Sequence, residues 1–473
     1  MANGGKHAVV IGGSIAGLLA ARVLGDHFDR VTVIDRDRFP ARPEYRKGVP
    51  QSRHAHALLA RGQMLLERFF PGLVTELGHE GAVTLESPLD TLALTPAGWA
   101  PRYRSGLKVL SCSRELLEFH VRRRVGLSPV ISFVEETDVL DLIASADGSS
   151  IVGVRLRHRN VLDGSDEELR ADLVVDASGR DSRTPQWLSA LSYEAPEETK
   201  IIPFTGYASR YYEPAAGFVA DWKMLFIFPS AASTRGGVLF PIEGGRWLVT
   251  LIGMARDYPS TDEAGFLEFA RSLRSPILYN VIRAARPVSG IHGYRRTENQ
   301  LRRYERLKRR PAGLVVLGDA ACAFNPIYGQ GMSVCALEAL ELERCLTERR
   351  SRGLNGFESR FQKRLARTSG VVWQLATSAD LRHPTTEGGR SGALSRLLRG
   401  YIDRMQVVAT QDPVVASAFR HVTQLLKPPS SLFAPGIILR VLAPREIRIV
   451  DRPPTETPFD SPALGYAELP QAV

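Results

Sequence analysis

The alternation of apolar and polar positions near the N-terminus predicts a strand, a helix and a second strand. His7–Ile11 is an apolar run typical of a buried strand, a helical pattern extends to about Leu24, and Arg30–Ile34 is the next apolar run. The turn between the first strand and the helix has the sequence Gly12-Gly13-Ser14-Ile15-Ala16-Gly17. Strand, glycine-rich turn and helix in this order are typical of a βαβ unit that binds a dinucleotide.

Each small residue in this turn has a predicted role. Gly12 allows the tight turn, Ser14 replaces the usual middle glycine and leaves room for a pyrophosphate, and Gly17 lets the helix pack on the strand. Asp35 ends the second strand, eighteen residues after Gly17. A carboxylate at that position can bind the hydroxyl groups of an adenosine ribose. The sequence contains no second fingerprint of this kind, so we expect one tightly bound nucleotide.

A second glycine-rich segment follows a buried strand late in the chain. It contains an apolar run, an acidic turn, a loop with one proline and two glycines, and the start of a helical pattern: Leu314–Leu317, Gly318, Asp319, Pro326, Gly329, Gly331 and Met332. Asp319 can accept hydrogen bonds from a polyhydroxyl chain, and the glycines let backbone N–H groups approach a planar ring. The helix N-terminus favours negative charge. The segment predicts a cofactor cradle, and the alternative is an ordinary strand-loop-helix connection.

Two further stretches carry candidate contacts. The extended loop 45–58 includes Arg46 and Val49 and the histidines His54 and His56. With no third ligand evident, we expect these histidines to form hydrogen bonds beside a cofactor rather than to bind a metal. Arg114 lies in the first turn of a predicted helix, where a cation is electrostatically unfavourable unless it pairs with an anion. We therefore assign Arg114 to the cofactor, with a surface arginine as the alternative.

The remaining patterns outline the rest of the fold. Strand patterns at 134–142, 151–157 and 169–175 predict a meander that ends in the turn Asp176-Ala177-Ser178-Gly179. Residues 203–256 predict antiparallel strands without intervening helices, hence a separate sheet layer over the substrate. Beyond about residue 369 the chain is helical. Its last helix, 432–442, is expected to pack on the core, and a membrane-surface contact is the alternative.

Composition limits the class of protein. The 473 residues are 44% hydrophobic and 24% charged, as in ordinary globular proteins, and the net charge is +10. The densest basic cluster, 302–310, predicts a solvated helix face, and without a recognisable nucleic-acid motif we expect no nucleic-acid partner. Four cysteines without a CxxC pair indicate a reducing, cytoplasmic location. No run of eighteen apolar residues occurs, so at most peripheral membrane contact is expected.

Taken in chain order, three motifs resemble those of the flavoprotein monooxygenases of the p-hydroxybenzoate hydroxylase fold. They are Gly12-x-Ser14-x-x-Gly17, Asp176-Ala-Ser-Gly179, and Gly318-Asp319 followed by Asn325-Pro326-x-Tyr328-Gly329-Gln330-Gly331-Met332. The loop 46–56 and the helical C-terminal extension are more similar to the bacterial epoxidases of polyether antibiotic biosynthesis. The resemblance covers roughly residues 7–350.

The resemblance implies an α/β (α+β) fold in which a Rossmann-like FAD-binding domain is joined to an antiparallel-sheet substrate domain and a helical C-terminal extension. Residues 1–80, 105–190 and 300–368 would form the first domain, 81–104 and 191–299 the second, 369–452 the helical region and 453–473 a flexible tail. It also implies FAD, with Asp35 at the adenosine ribose, Val139 at the adenine, Arg114 along the pyrophosphate and Asp319 at the ribityl chain. The full set of expected cofactor contacts is Gly12, Ser14, Gly17, Asp35, Arg36, Arg46, Val49, Arg114, Val139, Gly318, Asp319, Pro326, Gly329, Gly331 and Met332.

The implied activity is insertion of one oxygen atom from O2 through a flavin hydroperoxide, most simply epoxidation of a polyene polyketide or related intermediate. An alkene attacks such an oxygen directly, and the sequence shows no evident catalytic base, so we expect no catalytic side chain and no metal. Aromatic hydroxylation and reduction of a prenyl chain are the alternatives. The substrate would be a hydrophobic small molecule, free or carrier-bound. Because Ser178 replaces the aspartate usual in this family, electrons would come from NAD(P)H either directly or through a separate flavin reductase.

Overall fold

The structure, a computed structural model, describes residues 6–159, 166–230, 232–352, 356–389, 393–444 and 450–457. Within these ranges the strands are β1 (His7–Ile11), β2 (Arg30–Ile34), β3 (Val83–Glu86), β4 (Thr91–Thr95), β5 (Gly98–Trp99), β6 (Lys108–Ser111), β7 (Ile131–Val134), β8 (Thr137–Ala144), β9 (Ile151–His158), β10 (Glu167–Arg170), β11 (Leu173–Asp176), β12 (Glu198–Ile201), β13 (Gly206–Glu213), β14 (Met224–Ile227), β15 (Arg235–Ile242), β16 (Arg246–Gly253), β17 (Arg286–Pro287), β18 (His292–Tyr294), β19 (Asn299–Arg302), β20 (Leu314–Val316) and β21 (Cys322–Ala323).

The α-helices in the same ranges are α1 (Ile15–Leu24), α2 (Ala60–Phe69), α3 (Leu73–His79), α4 (Arg114–Val125), α5 (Thr184–Ala190), α6 (Glu263–Arg271), α7 (Ile277–Ile282), α8 (Gly331–Arg352), α9 (Phe357–Asp380), α10 (Ala393–Ala409), α11 (Pro413–Thr423) and α12 (Pro435–Leu442).

A five-stranded parallel sheet in the order β20-β11-β1-β2-β7 forms the base of the fold. Its strands are short and almost wholly apolar because helices cover both faces, as the burial of all five β1 residues shows. Ile11 pairs with Asp176, and Asp176 pairs with Val316. The carboxyl ends of β1, β11 and β20 therefore lie side by side, and the turns that follow them meet at one edge of the sheet.

The second large sheet is mainly antiparallel and confirms the predicted layer. Its order is β17-β13-β16-β15-β14-β4-β5, with β18 also paired to β13. The strands predicted within residues 203–256 are present as β13 to β16. Alternate side chains of these strands face α6 and α7 and form one apolar cluster with them. The pairing of β14 with β4 is parallel and brings in a strand from a distant part of the chain. The mixed α/β class is thus confirmed.

Two local predictions were wrong. The third meander strand, predicted over 169–175, is divided: β10 completes the meander, whereas β11 leaves it and joins the parallel sheet. Only Ala171 and Asp172 separate the end of β10 from the start of β11, so the sequence pattern alone did not reveal the break. The basic cluster 302–310 is not a helix face either, because Arg302 is buried at the end of β19 and donates to Glu198 over 2.8 Å.

The C-terminal region is helical, as predicted. α9 runs without interruption through residue 369, and α10, α11 and α12 pack together around Met405, Val415 and Val441. In α12, Val441 is buried while Leu439 is 72% exposed, so one face packs inward and the other meets solvent. No helix in the described ranges is both long and apolar enough to cross a membrane. Most of the predicted tail, from residue 458 onward, lies outside the described residues.

Candidate functional site

The fingerprint turn packs so closely that its glycines have no room for a side chain. A Cβ on Gly17 would lie 1.8 Å from the Gly12 carbonyl oxygen, and Gly12 has a φ of +100°. A Cβ on Gly12 would also lie 2.6 Å from the carbonyl oxygen of Ala177, in the turn after β11. This close approach is what lets the first turn of α1 come directly above the end of β1.

Asp35 is buried at the end of β2 and is held by the protein itself. One carboxylate oxygen accepts from Gly13 N over 2.7 Å, and the other accepts from Asp37 N over 2.9 Å and from Arg46 Nη1 over 3.2 Å. Arg46 also pairs with Asp37 at 3.0 Å. These contacts lock the carboxylate against the fingerprint turn. Its binding to a ribose stays a prediction.

Glu118, which sequence reasoning did not single out, links the fingerprint turn to α4. Its two oxygens accept from Ser14 Oγ over 2.7 Å, Arg46 Nε over 2.9 Å and Arg114 Nη2 over 2.8 Å. Burial by itself would raise the pKa of Glu118. The opposite effect of Arg114 and Arg46 is larger, so the pKa is lowered from 4.5 to about 2. The anion that neutralises Arg114 is therefore this glutamate, one helical turn away. The spacing of four residues was a signal that could have revealed it.

The ion cluster around Glu118 carries no excess of positive charge, because Asp35, Asp37 and Glu118 face Arg46 and Arg114. Attraction for a pyrophosphate would therefore come mainly from the N-terminus of α1. The Ser14 hydroxyl does not cap that helix, and its first turn contains no acidic residue. Its backbone N–H groups are left for an anionic ligand.

Asp319 lies in the turn that follows β20. Arg180, which follows the turn after β11, lies 3.5 Å from the Asp319 carboxylate. Arg180 also donates to the carbonyls of Glu298 and Phe324. Arg180 thereby ties the ends of β11 and β20 to the loop that follows, although its position next to Gly179 was the only hint in the sequence.

The loop 325–332 is held from behind by a residue of the C-terminal helices. Asp380, the last residue of α9, accepts from Tyr328 Oη over 2.7 Å, Asn325 Nδ2 over 3.0 Å and Asn299 Nδ2 over 2.6 Å. Asn299 and Asn325 are buried together with Asp380, and Tyr328 is half-buried. Burial raises the pKa of Asp380 to about 6, although these hydrogen bonds oppose the shift. No pattern in the sequence indicated this partnership.

A second buried carboxylate, Glu338 on α8, supports the acidic turn. It accepts from Gly318 N over 2.6 Å and from Ser369 Oγ over 2.7 Å. Burial raises the pKa of Glu338 to about 7, and the charge of Asp319 acts in the same direction. The turn that bears Asp319 is thus fixed by α8 and α9 together.

The two histidines of loop 45–58 form hydrogen bonds, as predicted. His54 Nδ1 lies 2.7 Å from Ser209 Oγ on the antiparallel sheet, and His56 Nδ1 lies 2.8 Å from the His54 carbonyl. Burial lowers the pKa of His54 to about 3 and that of His56 to about 4. Both rings are therefore neutral at physiological pH. Among the residues that the structure describes, no group of three or more metal-ligating side chains is placed to bind a metal ion.

One large cavity, of about 1880 Å³, connects these elements. It is lined by residues at the N-termini of α1 and α8, on the inner face of the antiparallel sheet and on the C-terminal helices α9 to α11. Of the predicted contacts, those that line it are Ser14, Val49, Arg114, Asp319, Pro326, Gly329, Gly331 and Met332. Gly12, Gly17, Asp35, Arg46 and Gly318 lie behind its wall, Arg36 is exposed, and Val139 is half-buried in β8.

The residues present fit a flavin dinucleotide. The side-chain Oε1 of Gln330 is buried without a hydrogen-bond partner among the described residues, and Gln330 lines the cavity between Gly329 and Gly331. A buried amide oxygen normally accepts a hydrogen bond, and an N–H group of a planar ring could donate it. Asp319 and Arg180 offer an acceptor and a donor for a ribityl chain, and the free N-terminus of α1 suits a pyrophosphate.

Comparison with known proteins agrees with this geometry. The family model described as FAD binding domain matches residues 6–353. Protein Rv3254 of Mycobacterium tuberculosis (strain ATCC 25618 / H37Rv) is 34% identical over 430 residues, which cover 87% of this chain and 88% of that protein.

Two solved structures show the same fold at low sequence identity. The flavin-dependent brominase Bmp2 superposes with a TM-score of 0.64 at 14% identity, covering 89% of this chain and 94% of that one. PqsL, described as a probable FAD-dependent monooxygenase from Pseudomonas aeruginosa, superposes with a TM-score of 0.58 at 20% identity, covering 80% of this chain and 98% of that one. The family match over residues 6–353, on a chain whose three cofactor turns meet at one sheet edge, shows that this protein is an enzyme of the FAD binding domain family.

Proposed function

We propose that this enzyme is an FAD-dependent monooxygenase that epoxidises alkenes of a polyene polyketide or related natural-product intermediate. The observation that carries the proposal is the continuity of the cavity, which extends from the loop 325–332 along the sheet to the C-terminal helices. Pockets for small molecules usually measure about 300–1,000 Å³, whereas this cavity measures about 1880 Å³. It has room for the reactive part of the cofactor together with a long substrate.

The lining of the cavity favours an apolar substrate. Alternate residues of β14 face it, Met224 and Phe226, and Phe240 and Ile252 of the neighbouring strands join them. These side chains offer apolar contact and no hydrogen-bonding groups, so an apolar chain gains from burial there while a polar one loses its hydration.

When bound and reduced, FAD supplies the activation of O2, and the protein supplies binding, orientation and exclusion of water. Ser14 and Arg114 would contact the pyrophosphate, Asp319 the ribityl chain, and the Gln330 amide the edge of the ring. The hydrogen bonds of Asp380 to Asn325 and Tyr328 hold the ring-binding loop rigid, so the substrate meets it in one orientation.

Among the described residues, the histidines that line the cavity are poorly suited to ionising a phenol, because burial lowers the pKa of each. His54 lines the cavity and is neutral, but its pKa of about 3 makes it a weak base. A phenol has a pKa near 10, so proton transfer to His54 would be unfavourable by about seven pKa units. An alkene needs no deprotonation before oxygen transfer. The site therefore favours an alkene over a phenol.

Electrons would come from NAD(P)H, either directly or through a separate flavin reductase. The reductase route is favoured by the state of Ser178, whose Oγ donates to Asp176 Oδ1 over 2.6 Å and so satisfies a buried carboxylate of its own turn. A serine engaged in this way offers little to a second nucleotide. Adding NADPH with and without a flavin reductase, and following loss of the oxidised flavin band, distinguishes the two routes.

The decisive experiment is a single turnover with the purified holoenzyme. We expect the reduced enzyme, mixed with O2 and an apolar polyene, to give a product heavier by one oxygen atom, with the label retained when 18O2 is used. The matched control is Asp319→Ala, which should release FAD and give no product. Hydrogen peroxide as the only product from every polyene would overturn the proposal.

Two other outcomes would replace it. Oxygenation of phenols but not polyenes would identify an aromatic hydroxylase. Saturation of a prenyl chain in the absence of O2 would identify a flavin-dependent reductase. Both outcomes are read from the mass of the product, +16 on an arene or +2 on an alkene.

A further inference from the structure

The C-terminal helix α11 places an arginine, Arg420, in the wall of the cavity without an acidic partner among the described residues. Arg420 donates from Nη1 to Ser87 Oγ over 2.7 Å and also hydrogen-bonds Tyr103. Both partners are neutral hydroxyl groups. Within the described part of the chain, no carboxylate lies at ion-pair distance from Arg420. The positive charge of the Arg420 guanidinium is therefore hydrogen-bonded but not neutralised by these neighbours.

This state is unusual among the arginines of the same cavity. Arg114 pairs with Glu118 at 2.8 Å, Arg180 with Asp319 at 3.5 Å, and Arg382 with Asp403. Burial lowers the pKa of Arg420, and the hydrogen bond to Tyr103 only partly offsets this effect. Arginine remains protonated in proteins, so Arg420 places a positive charge in the wall of the cavity.

The neighbours of Arg420 leave hydrogen-bonding capacity for a ligand. Ser87 Oγ accepts from Arg420, and its own hydroxyl proton has no acceptor among the described residues. Ser87, Tyr103 and Arg420 all line the cavity. A guanidinium fork with a hydroxyl donor beside it matches a carboxylate, whose single negative charge equals the single positive charge present.

Arg420 also lies at a defined place relative to the cofactor loop. Gln424, one helical turn further along, accepts from Ala60 N over 2.8 Å, and Leu59 N donates to Ser333 Oγ over 3.1 Å in the first turn of α8. From Ser87 the chain continues into β4, where Thr91 and Ala93 line the cavity opposite Met224 and Phe226 of β14. An apolar track thus begins beside Arg420 and follows the sheet.

We propose that Arg420 and Ser87 bind the carboxylate end of a long apolar substrate whose chain lies along β4 and β14. This inference rests on the proposed function in treating the cavity as a substrate site. It identifies the substrate class as an amphipathic carboxylic acid rather than a neutral hydrocarbon, and it makes Arg420 the residue that sets which double bond reaches the cofactor loop.

The test compares a conjugated polyene fatty acid with its methyl ester, bound to the oxidised holoenzyme at pH 8 and followed by polyene fluorescence. We expect the acid to bind at least tenfold more tightly than the ester. In Arg420→Gln the affinity for the acid should fall to that for the ester, and the affinity for the ester should stay unchanged. Arg420→Lys should keep part of the preference, because it retains the charge and loses the fork.

A matched control is Arg274→Gln. Arg274 donates to the carbonyls of Leu94, Thr95 and Phe228 at the ends of β4 and β14, so its loss loosens the same strands without removing a cavity cation. This variant should keep the preference for the acid. Equal binding of acid and ester by the unaltered enzyme, no binding of either, or an equal loss of both in Arg420→Gln would each overturn the inference.

Product analysis in the same preparations separates this inference from the proposed function. A preference for the acid that depends on Arg420, without any oxygenated product, would refute the monooxygenase and leave the carboxylate site standing. Equal oxygenation and equal binding of acid and ester would leave the monooxygenase standing and refute the role of Arg420.

Discussion

Asn325 Nδ2 lies 3.0 Å from Asp380 Oδ1, and this contact joins the loop 325–332 to the last residue of α9. The two residues are 55 positions apart, and both are fully buried. A helix of the C-terminal region therefore contributes directly to the shape of the large cavity, which Asn325 and Tyr328 line. It does so through a carboxylate that also accepts from Tyr328 and Asn299.

Replacing Asp380 should detach this loop. In Asp380→Ala, the side-chain donors of Asn299, Asn325 and Tyr328 lose their acceptor, at a cost of about 1–3 kcal/mol for each donor left unsatisfied. We expect the free energy of unfolding to fall by more than about 2 kcal/mol and bound FAD to be lost on gel filtration. Asp380→Asn keeps one acceptor oxygen and should lie between this variant and the unaltered enzyme. Full FAD content in Asp380→Ala would contradict this role.

Glu338 should make stability depend on pH. Burial raises its pKa in the folded protein to about 7, against 4.5 for the free side chain. The folded state therefore binds more protons than the unfolded state between these values. This contribution to stability is fully present below about pH 4.5 and is lost as the pH rises through 7.

Glu338→Gln should remove that dependence. We expect the decrease in the free energy of unfolding between pH 5 and pH 8 to be smaller by roughly 2–3 kcal/mol than in the unaltered enzyme, from about 1.4 kcal/mol per pKa unit. Urea titrations at the two pH values measure it. The control is Glu343→Gln on the same helix, where the partner Arg68 is 50% exposed and the effect should be within about 1 kcal/mol. The same pH dependence in Glu338→Gln would contradict the assignment.

Gly17→Ala should abolish FAD binding. Its Cβ would meet the Gly12 carbonyl oxygen at 1.8 Å, and backbone must move to relieve that overlap. We expect a colourless protein with a lower melting temperature. Gly370→Ala is the matched control, because nothing lies within 4 Å of a Cβ there and the residue is inside α9. That change should stabilise the protein by up to about 1 kcal/mol. Flavin absorbance and thermal melts decide the outcome.

Glu118→Gln should destabilise the region around the fingerprint turn. It would leave Arg46 and Arg114, both buried, without this carboxylate partner, and breaking a buried pair typically costs about 3–5 kcal/mol. We expect FAD affinity to fall at least tenfold, as measured by titrating apoenzyme with FAD. Glu268→Gln serves as the control, since its pair with Arg271 is exposed and screened by solvent. Equal FAD affinity in the two variants would show that the Glu118 cluster does not support the cofactor site.

Local pattern was enough to reveal the elements that carry the cofactor turns. β1, α1 and β2 occur where apolar runs and a glycine-rich turn predicted them, because tight turns and buried parallel strands have few alternative sequences. The strands β13 to β16 were also expected, because residues 203–256 show strand patterns without intervening helices. The division of residues 169–175 between two sheets was not evident, since only Ala171 and Asp172 separate the end of β10 from the start of β11.

The sequence by itself determined that a glycine-rich βαβ unit, an acidic turn after a buried strand and an antiparallel sheet occur in one chain, because each is encoded by residues that are neighbours in sequence. Only the tertiary structure decided which carboxylates support them. Glu118, Glu338 and Asp380 are typical helix residues until folding buries them beside Arg114, Gly318 and Asn325. The same holds for Arg420, since its lack of an acidic partner within the described part of the chain depends on which side chains folding brings around it, and spacing along the chain carries no record of that.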